Sequence, residues 1–457
     1  MMMAVSTGKE LAVAKMRQAR VNPTAIAIFE AYWDQLAAGA TGIIPEATIQ
    51  PLTSPDTVDL DHLRDGDLEA LGKTAIIKLN GGLGTSMGLS KAKTLLPVRD
   101  GLTFLDIIVR QVQWARRTYD VRLPLVFLHS FNTQADVLAA LEAYPDLGVD
   151  HLPLDMMQSE EPKLAQSDLS PVRWLANPKL EWCPPGHGDL YPTLLDSGML
   201  DALISAGFQY ASVSNSDNLG AGPSPQLAGW FARAGAPFAS EITLRTPMDV
   251  KGGHLAIRTS DGRIILRESA QTPPDELKYF TDPAIHPYAH CNNLWFDLAC
   301  LREKLAATGG VLGLPLIRNA KTVDPTDPTS PAVYQIESAM GAAIESFEGA
   351  TAVAVPRSRF LPVKSTNELT LLRSDVFELG DDYMLRAQVS PLPVVSLAKP
   401  YATIAGLDAR LPHPLGLRQA RSLTVTGDWA FGRGVRVQGD VTLAETGNVP
   451  DNSLLTS

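Results

Sequence analysis

Three residues sit in motifs that suit the handling of a polyphosphate: Lys93, Asp217 and Lys364. Lys93 lies just beyond Lys78-Leu79-Asn80-Gly81-Gly82-Leu83-Gly84-Thr85-Ser86-Met87-Gly88, which continues an apolar strand pattern from Thr74 to Leu79. Glycines let a backbone approach a ligand closely. Their exposed N–H groups can surround a phosphate or a base edge, and a lysine adds charge. The spacing fits neither familiar nucleotide motif. A P-loop needs a wider glycine gap followed by Lys-Ser/Thr, and Gly84 and Gly88 are too close. A dinucleotide fingerprint is missed by one residue at Gly82, Gly84 and Gly88, and the next strand pattern ends in His129-Ser130 rather than an acid.

Asp217 follows the strand pattern Tyr210 to Asn215, in Asn215-Ser216-Asp217-Asn218. A carboxylate at a strand end suits Mg²⁺, which takes one or two protein carboxylates plus phosphate oxygens. Read alone, it equally suits a turn-capping aspartate. Lys364 precedes Ser365-Thr366-Asn367-Glu368, a capping box opening a helix. A cation there can share an anion with the helix N-terminus. Lys251, in Lys-Gly-Gly, is a further cation of this kind.

These residues need a scaffold that gathers them. Short apolar runs at Thr74 to Leu79, Leu123 to His129, Tyr210 to Asn215 and Ala350 to Val355 alternate with helical patterns. The latter cover Phe104 to Arg117, Thr133 to Glu142, Leu194 to Ala206 and Ser365 to Phe377. This is an α/β signature with a mostly parallel sheet, which binds ligands beyond the carboxyl ends of its strands. The glycine loop and Asp217 both fall there. Asn22-Pro23 caps an N-terminal helix with Ile26, Phe29, Tyr32, Trp33 and Leu36 at helical spacing. The turn-rich Ile43 to Leu71 reads as a wrap on the main domain. Near the C-terminus, Val425, Phe431, Val437 and Leu443 recur every six residues, as do Leu423, Trp429, Val435 and Val441. That period marks a parallel β-helix, although short strand patterns also fit a meander. The divisions expected are an N-terminal extension (1–72), a catalytic domain (73–385) and a C-terminal unit (386–457).

The chain has 457 residues, is 45% apolar and carries a formal charge of −11. That balance argues against nonspecific nucleic-acid or membrane binding. Three cysteines (Cys183, Cys291, Cys300) fit a reducing compartment, so a cytoplasmic location is expected, with no signal peptide or membrane span.

The loop wording, continued by Ala92-Lys93-Thr94-Leu95-Leu96, resembles the UTP–glucose-1-phosphate uridylyltransferase family. So do Glu181-Trp182-Cys183-Pro184-Pro185-Gly186-His187-Gly188-Asp189, Val213 to Gly220, Lys251-Gly252-Gly253, Asn292-Asn293-Leu294-Trp295 and Arg359 to Lys364, in that order. The resemblance runs from about Lys73 to about Phe377. It implies a Rossmann-like, GT-A-like nucleotidyltransferase domain with a mixed, mostly parallel sheet, followed by a short left-handed parallel β-helix. It also implies reversible uridylyl transfer: UTP and glucose 1-phosphate give UDP-glucose and pyrophosphate, by in-line attack without a covalent enzyme intermediate. Mg²⁺ would be the cofactor, held by Asp217, with Lys93 and Lys364 on the phosphates. Leu79, Asn80, Gly81 and Gly82 would offer backbone groups to the ligands. Gln158 would read uracil, an amide being both donor and acceptor. Gly186 would approach the base and His187 the sugar phosphate. Asn215 and Ser216 would contact the same nucleotide as Asp217, Asn292 and Asn293 would serve the hexose hydroxyls, and Lys251 is a weaker ligand.

His290-Cys291 departs from the Asn-Thr usual in relatives and bears on sugar choice. A broad UDP-sugar pyrophosphorylase that also takes galactose 1-phosphate is the nearest rival, since epimers differ by few hydrogen bonds. A silent sugar-nucleotide scaffold is the non-enzyme alternative. N-acetylhexosamine relatives carry a Gly-Gln-Gly-Thr-Arg-Leu-Gly loop instead. Transfer through a uridylylated histidine needs His-x-His, which His286-Pro287-Tyr288 lacks. No nucleic-acid or membrane partner is expected, and the C-terminal unit could mediate a homo-oligomer.

Overall fold

A computed structural model describes residues 2–246, 249 and 252–456. Eight strands form the central sheet. In chain order they are β1 (Asp56–Thr57), β2 (Thr74–Asn80), β3 (Leu125–His129), β4 (Asp155–Met157), β5 (Tyr210–Asn215), β6 (Phe238–Leu244), β7 (Tyr288–Asp297) and β8 (Thr351–Ala354). Their spatial order is β1-β8-β6-β7-β5-β2-β3-β4. All neighbours are parallel except β7, which runs antiparallel to both β5 and β6. The sheet is therefore mixed and mostly parallel, as expected.

Strand alternation sends side chains to two cores. On one face Ile76, Phe127, Trp295 and Val353 pack with the helices Phe104–Tyr119, Pro225–Ala234 and Thr366–Arg373. On the other, Ile77, Leu128, Val213 and Phe296 pack with Leu190–Asp196, Met199–Ser205 and Leu298–Ala307. The single helix expected over Leu194 to Ala206 is thus two helices. Gly198, at φ 76°, takes the left-handed turn between them. The helix expected to reach Phe377 stops at Arg373, and Phe377 begins a short strand, Phe377–Leu379. In the wrap, Asp56 and Thr57 add an edge strand beside β8.

Toward the C-terminus the strands β9 (Val394–Leu397), β10 (Gly416–Val425), β12 (Arg436–Leu443) and β14 (Leu454–Thr456) form one parallel sheet. A second pairs β11 (Asp428–Phe431) with β13 (Thr446–Val449), also parallel. Partners lie three hexapeptides apart: Ser422 with Asp440, Asp428 with Thr446, and Arg436 with Leu454. Leu423, Val425, Phe431, Val435, Val437 and Val441 are buried in the same core as Phe104 and Trp295, so this unit shares its interior with the sheet domain.

Candidate active site

The parallel strands β2 and β5 lie side by side, with Leu79 opposite Asn215. Beyond their carboxyl ends is an open cleft of about 320 Å³. Leu79, Asn80, Gly81, Gly82, Lys93, Gln158, Gly186, His187, Asn215, Ser216, Asp217 and Lys364 all line it. Sequence segments more than 250 residues apart thus meet where the α/β rule places a ligand.

The charged centre is compact. Lys93 Nζ donates to Asp217 Oδ2 at 2.7 Å and also to the Val363 carbonyl. Lys364 Nζ donates to the same carboxylate oxygen at 3.2 Å. Burial alone would raise the Asp217 pKa, but Lys364 and Lys93 hold it down to about 2, so the group is ionised. Its other oxygen, Oδ1, is buried without a hydrogen-bond partner. A buried carboxylate oxygen left unpaired is costly, and one beside a cleft is what a hard cation requires. The residues present therefore fit Mg²⁺. The Ser216 backbone N–H donates to Leu79 O at 3.0 Å and ties this loop to the glycine loop, while Ser216 Oγ stays unpartnered.

A second wall is built from residues 157–159 and 184–189. Gln158 N–H donates to His129 O at 2.9 Å, continuing the strand edge. A Cβ on residue 81 would lie 3.0 Å from Gln158 Oε1, so glycine there lets the amide close over the loop. Ser159 N–H donates to Asp189 Oδ2 at 2.6 Å, and Thr193 Oγ1 donates to it at 3.0 Å. Asp189, raised by burial to about 7, thereby fixes the Gln158 turn. Gly186 takes φ 80° and packs so closely that a Cβ would lie 2.6 Å from Ser338 O. Next to it, His187 Nδ1 accepts the Met340 N–H at 2.8 Å. Burial, assisted by Lys364, lowers its pKa to about 4, so the ring is neutral and its proton sits on Nε2 as a donor.

The two asparagines of β7 separate. The register between β6 and β7 shifts at Glu241/Ile242, and Asn292 sits in the bulge at φ 55°. The bulge brings Asn292 Nδ2 within 3.1 Å of Asn215 Oδ1, while its own Oδ1 is buried and unpartnered. Neither asparagine is among the residues lining the cleft: Asn292 reaches it only through Asn215, and Asn293, expected beside it on the sugar, turns away. It is 1% exposed and donates to Glu241 Oε2 at 2.9 Å. In a strand, successive side chains take opposite faces, so adjacent asparagines could not share one site. Lys251 lies outside the described residues.

Sequence reasoning missed Thr94, Leu128 and Pro184, which also line the cleft. It missed Asp189, which acts one shell behind Gln158, and Glu268. Burial raises the Glu268 carboxyl to about 7 although Lys364 opposes this. A Cβ on Gly253 would lie 2.9 Å from Glu268 Oε2, so Gly253 packs against that carboxyl. No local motif announces either acid; only Asp189 falls inside a quoted segment.

A mixed, mostly parallel sheet with a cation-flanked carboxylate at its strand ends defines the class: an α/β nucleotidyltransferase. A profile of UTP–glucose-1-phosphate uridylyltransferases matches residues 26–438, and the chain belongs to that family. It is 37% identical to UTP–glucose-1-phosphate uridylyltransferase of Hordeum vulgare over 421 residues, covering 90% of this chain and 85% of the relative. The Saccharomyces cerevisiae enzyme of the same name is also 37% identical, covering 84% and 77%. Among solved structures, a mutant UDP-glucose pyrophosphorylase from Leishmania major in complex with UDP-glucose superposes with a TM-score of 0.92 at 40% identity, covering 98% of each chain. A UDP-glucose phosphorylase from Trypanosoma brucei gives 0.91 at 37%, covering 99% of this chain and all of the other.

Proposed function

We propose that this chain joins UTP and glucose 1-phosphate to form UDP-glucose and pyrophosphate, reversibly. The observation that carries the reading is the ionised Asp217, with one oxygen between two lysines and the other buried without a hydrogen-bond partner. Two polyanions must meet, so charge neutralisation and alignment are the main tasks, and no protein nucleophile is needed. Asp217 would hold Mg²⁺, which when bound would neutralise phosphate charge. Lys93 and Lys364 turn from Asp217 toward the phosphates as these enter. The neutral His187 donates from Nε2 to a sugar-phosphate oxygen and neither gives up nor gains a proton. Gln158 reads the uracil edge through both ends of its amide. Asn215 contacts the nucleotide beside Asp217, and Asn292, bonded to Asn215, serves the hexose side. The sugar phosphate attacks the α-phosphorus directly, and pyrophosphate leaves from the opposite side.

The domain reading belongs to the same proposal: an N-terminal extension (1–72), a catalytic domain (73–385) and a short left-handed parallel β-helix (386–457). Parallel pairing three hexapeptides apart supports the last. A cytoplasmic location is supported by three unpaired cysteines, and among the described residues no helix is long and apolar enough to cross a membrane.

Pyrophosphate release from Mg-UTP, run with glucose 1-phosphate, galactose 1-phosphate and N-acetylglucosamine 1-phosphate, tests the reading. Release with glucose 1-phosphate alone is expected. Comparable release with galactose 1-phosphate would move the assignment to a broad UDP-sugar enzyme. No release with any sugar would overturn it.

A further inference from the structure

Behind the cleft lies a closed polar network whose members do not line it. Glu241, on β6, is fully buried and accepts four donors. Two come from Arg359, through Nε at 3.1 Å and Nη2 at 2.7 Å; the others are Trp295 Nε1 and Asn293 Nδ2, each at 2.9 Å. Arg359 is 4% exposed and spends Nη1 on the Gly222 carbonyl at 2.7 Å. Its own carbonyl accepts Asn218 Nδ2 at 3.1 Å. Asn218 Oδ1 accepts the N–H groups of Leu361 at 2.8 Å and Gly220 at 3.2 Å. Asn218 also bridges Pro362 in antiparallel fashion, and Val363 N–H donates to Asp217 O at 3.3 Å. The segment 359–364, which delivers Lys364, is thereby zipped to the loop that delivers Asp217.

This arrangement costs more than an apolar core would. Burying an ion pair is costly, and removing one partner leaves a bare charge. What it supplies is fixed geometry: a guanidinium fork on a carboxylate sets distance and angle together. Neither ion touches the cleft, so the geometry matters through what it carries.

We propose that Arg359 and Glu241, acting through Asn218, are positioning residues that hold Asp217 and Lys364 at the separation uridylyl transfer requires. This rests on the reading above that those two residues meet the metal and phosphates. Uracil and sugar contacts come from other segments, at Gln158, Gly186, His187 and Asn292. Loss of the network therefore disturbs the reacting centre and spares the ends of the ligand.

The test uses Glu241→Gln, Arg359→Lys and Asn218→Ala in the full chain. Arg359→Lys keeps the charge and loses the fork. Asn218→Ala strips the stitch without stranding a charge, so it decides the matter if the others do not fold. Two readouts are taken. In steady state kcat should fall about 10²-fold per folded molecule, the cost of a misplacement near 1 Å. KM for both substrates should rise by no more than about threefold, because a displaced lysine still attracts the bound phosphates while its alignment in the transition state is lost. Independently of turnover, Mn²⁺ binding to the protein–UTP complex, followed by electron paramagnetic resonance, should weaken about tenfold. UDP-glucose affinity in EDTA, by calorimetry, should hold within about threefold, its contacts being intact. Unchanged kcat with unchanged Mn²⁺ affinity would reduce the network to a structural brace and overturn the proposal. So would parallel losses in Mn²⁺ and UDP-glucose affinity, which mean general loosening. A parent that releases no pyrophosphate would refute the reaction assigned above, while the Mn²⁺ arm would still decide the network.

Discussion

The two lysines on Asp217 should not be equal, and their burial ranks them. Lys93 is 15% exposed along its side chain and Lys364 is 58% exposed. An ammonium about 4 Å from a phosphoryl charge gains about 4 kcal/mol at an effective dielectric of about 20, suitable for Lys93. More water around Lys364 roughly doubles the effective dielectric and halves its gain to about 2 kcal/mol. Bound substrate phosphates feel both charges before reaction, so about half of each gain is specific to the transition state. Replacement by methionine keeps the apolar stem. Lys93→Met should then lose about 2 kcal/mol, or about 30-fold in kcat, and Lys364→Met about 1 kcal/mol, or about fivefold. In kcat/KM the losses should reach about 10³-fold and about 30-fold. Lys93 also holds the Val363 carbonyl, so its removal loosens the segment 359–364 in the same direction. The assay is pyrophosphate release at saturating Mg-UTP and glucose 1-phosphate. The double variant should lose less than the product of the single losses, because both lysines share one carboxylate oxygen. A larger loss for Lys364→Met, or less than about a twofold loss for both, would refute the Coulombic ranking.

Other outcomes follow from the same geometry. Asp217→Asn should abolish turnover while the chain still unfolds cooperatively, at a lower midpoint because Lys93 and Lys364 lose their partner; near-parental activity would remove the metal assignment. Gly186→Ala forces a Cβ against Ser338 at a backbone angle that L-residues avoid, so stability should drop about 1–3 kcal/mol and KM for UTP should rise. A parental denaturation midpoint would contradict the packing described. His254 is buried, lacks partners for both ring nitrogens and stacks on His286 at 3.8 Å. Burial first, then His286, Arg245 and Arg267, lower its pKa to about 2. The unfolded chain gains that proton near pH 6.5 and the folded chain does not, so the penalty grows as pH falls below 6.5. His254→Phe should therefore stabilise the protein by about 2 kcal/mol more at pH 5 than at pH 7.5. An advantage that is the same at both values would show that His254 does not titrate this way.

Much of the site could be read in the chain because its parts are local. The glycine loop, Asp217 and Lys364 each sit at the end of one strand or the start of one helix, and end signals are strong. What could not be read depends on direction and distance. The antiparallel strand Tyr288–Asp297 is not among the strand patterns read from the chain, because the polar Asn292-Asn293 pair interrupts its apolar run. Asn292-Asn293 resembles a turn, whereas a bulge inside β7 turns the Asn292 amide to Asn215, which lines the cleft, and the Asn293 amide to Glu241 in the core. The break at Gly198 is hidden because the apolar period continues on both sides of it. Glu241 and Arg359 are 118 residues apart, and neither belongs to a pattern that names the other. The C-terminal hexapeptide period was legible, and the pairing of strands three hexapeptides apart is its direct result.

The Lys93–Asp217–Lys364 cluster has a kinetic consequence. The two ammonium groups direct much of their field to one carboxylate oxygen, at 2.7 and 3.2 Å. The cluster is left with a net charge of about +1, on a molecule whose formal charge is −11. An approaching nucleotide therefore meets little long-range attraction. Capture should be governed by the short-range fit of base and sugar, and the association rate should change little with salt, unlike that of proteins that steer polyanions through an open positive field.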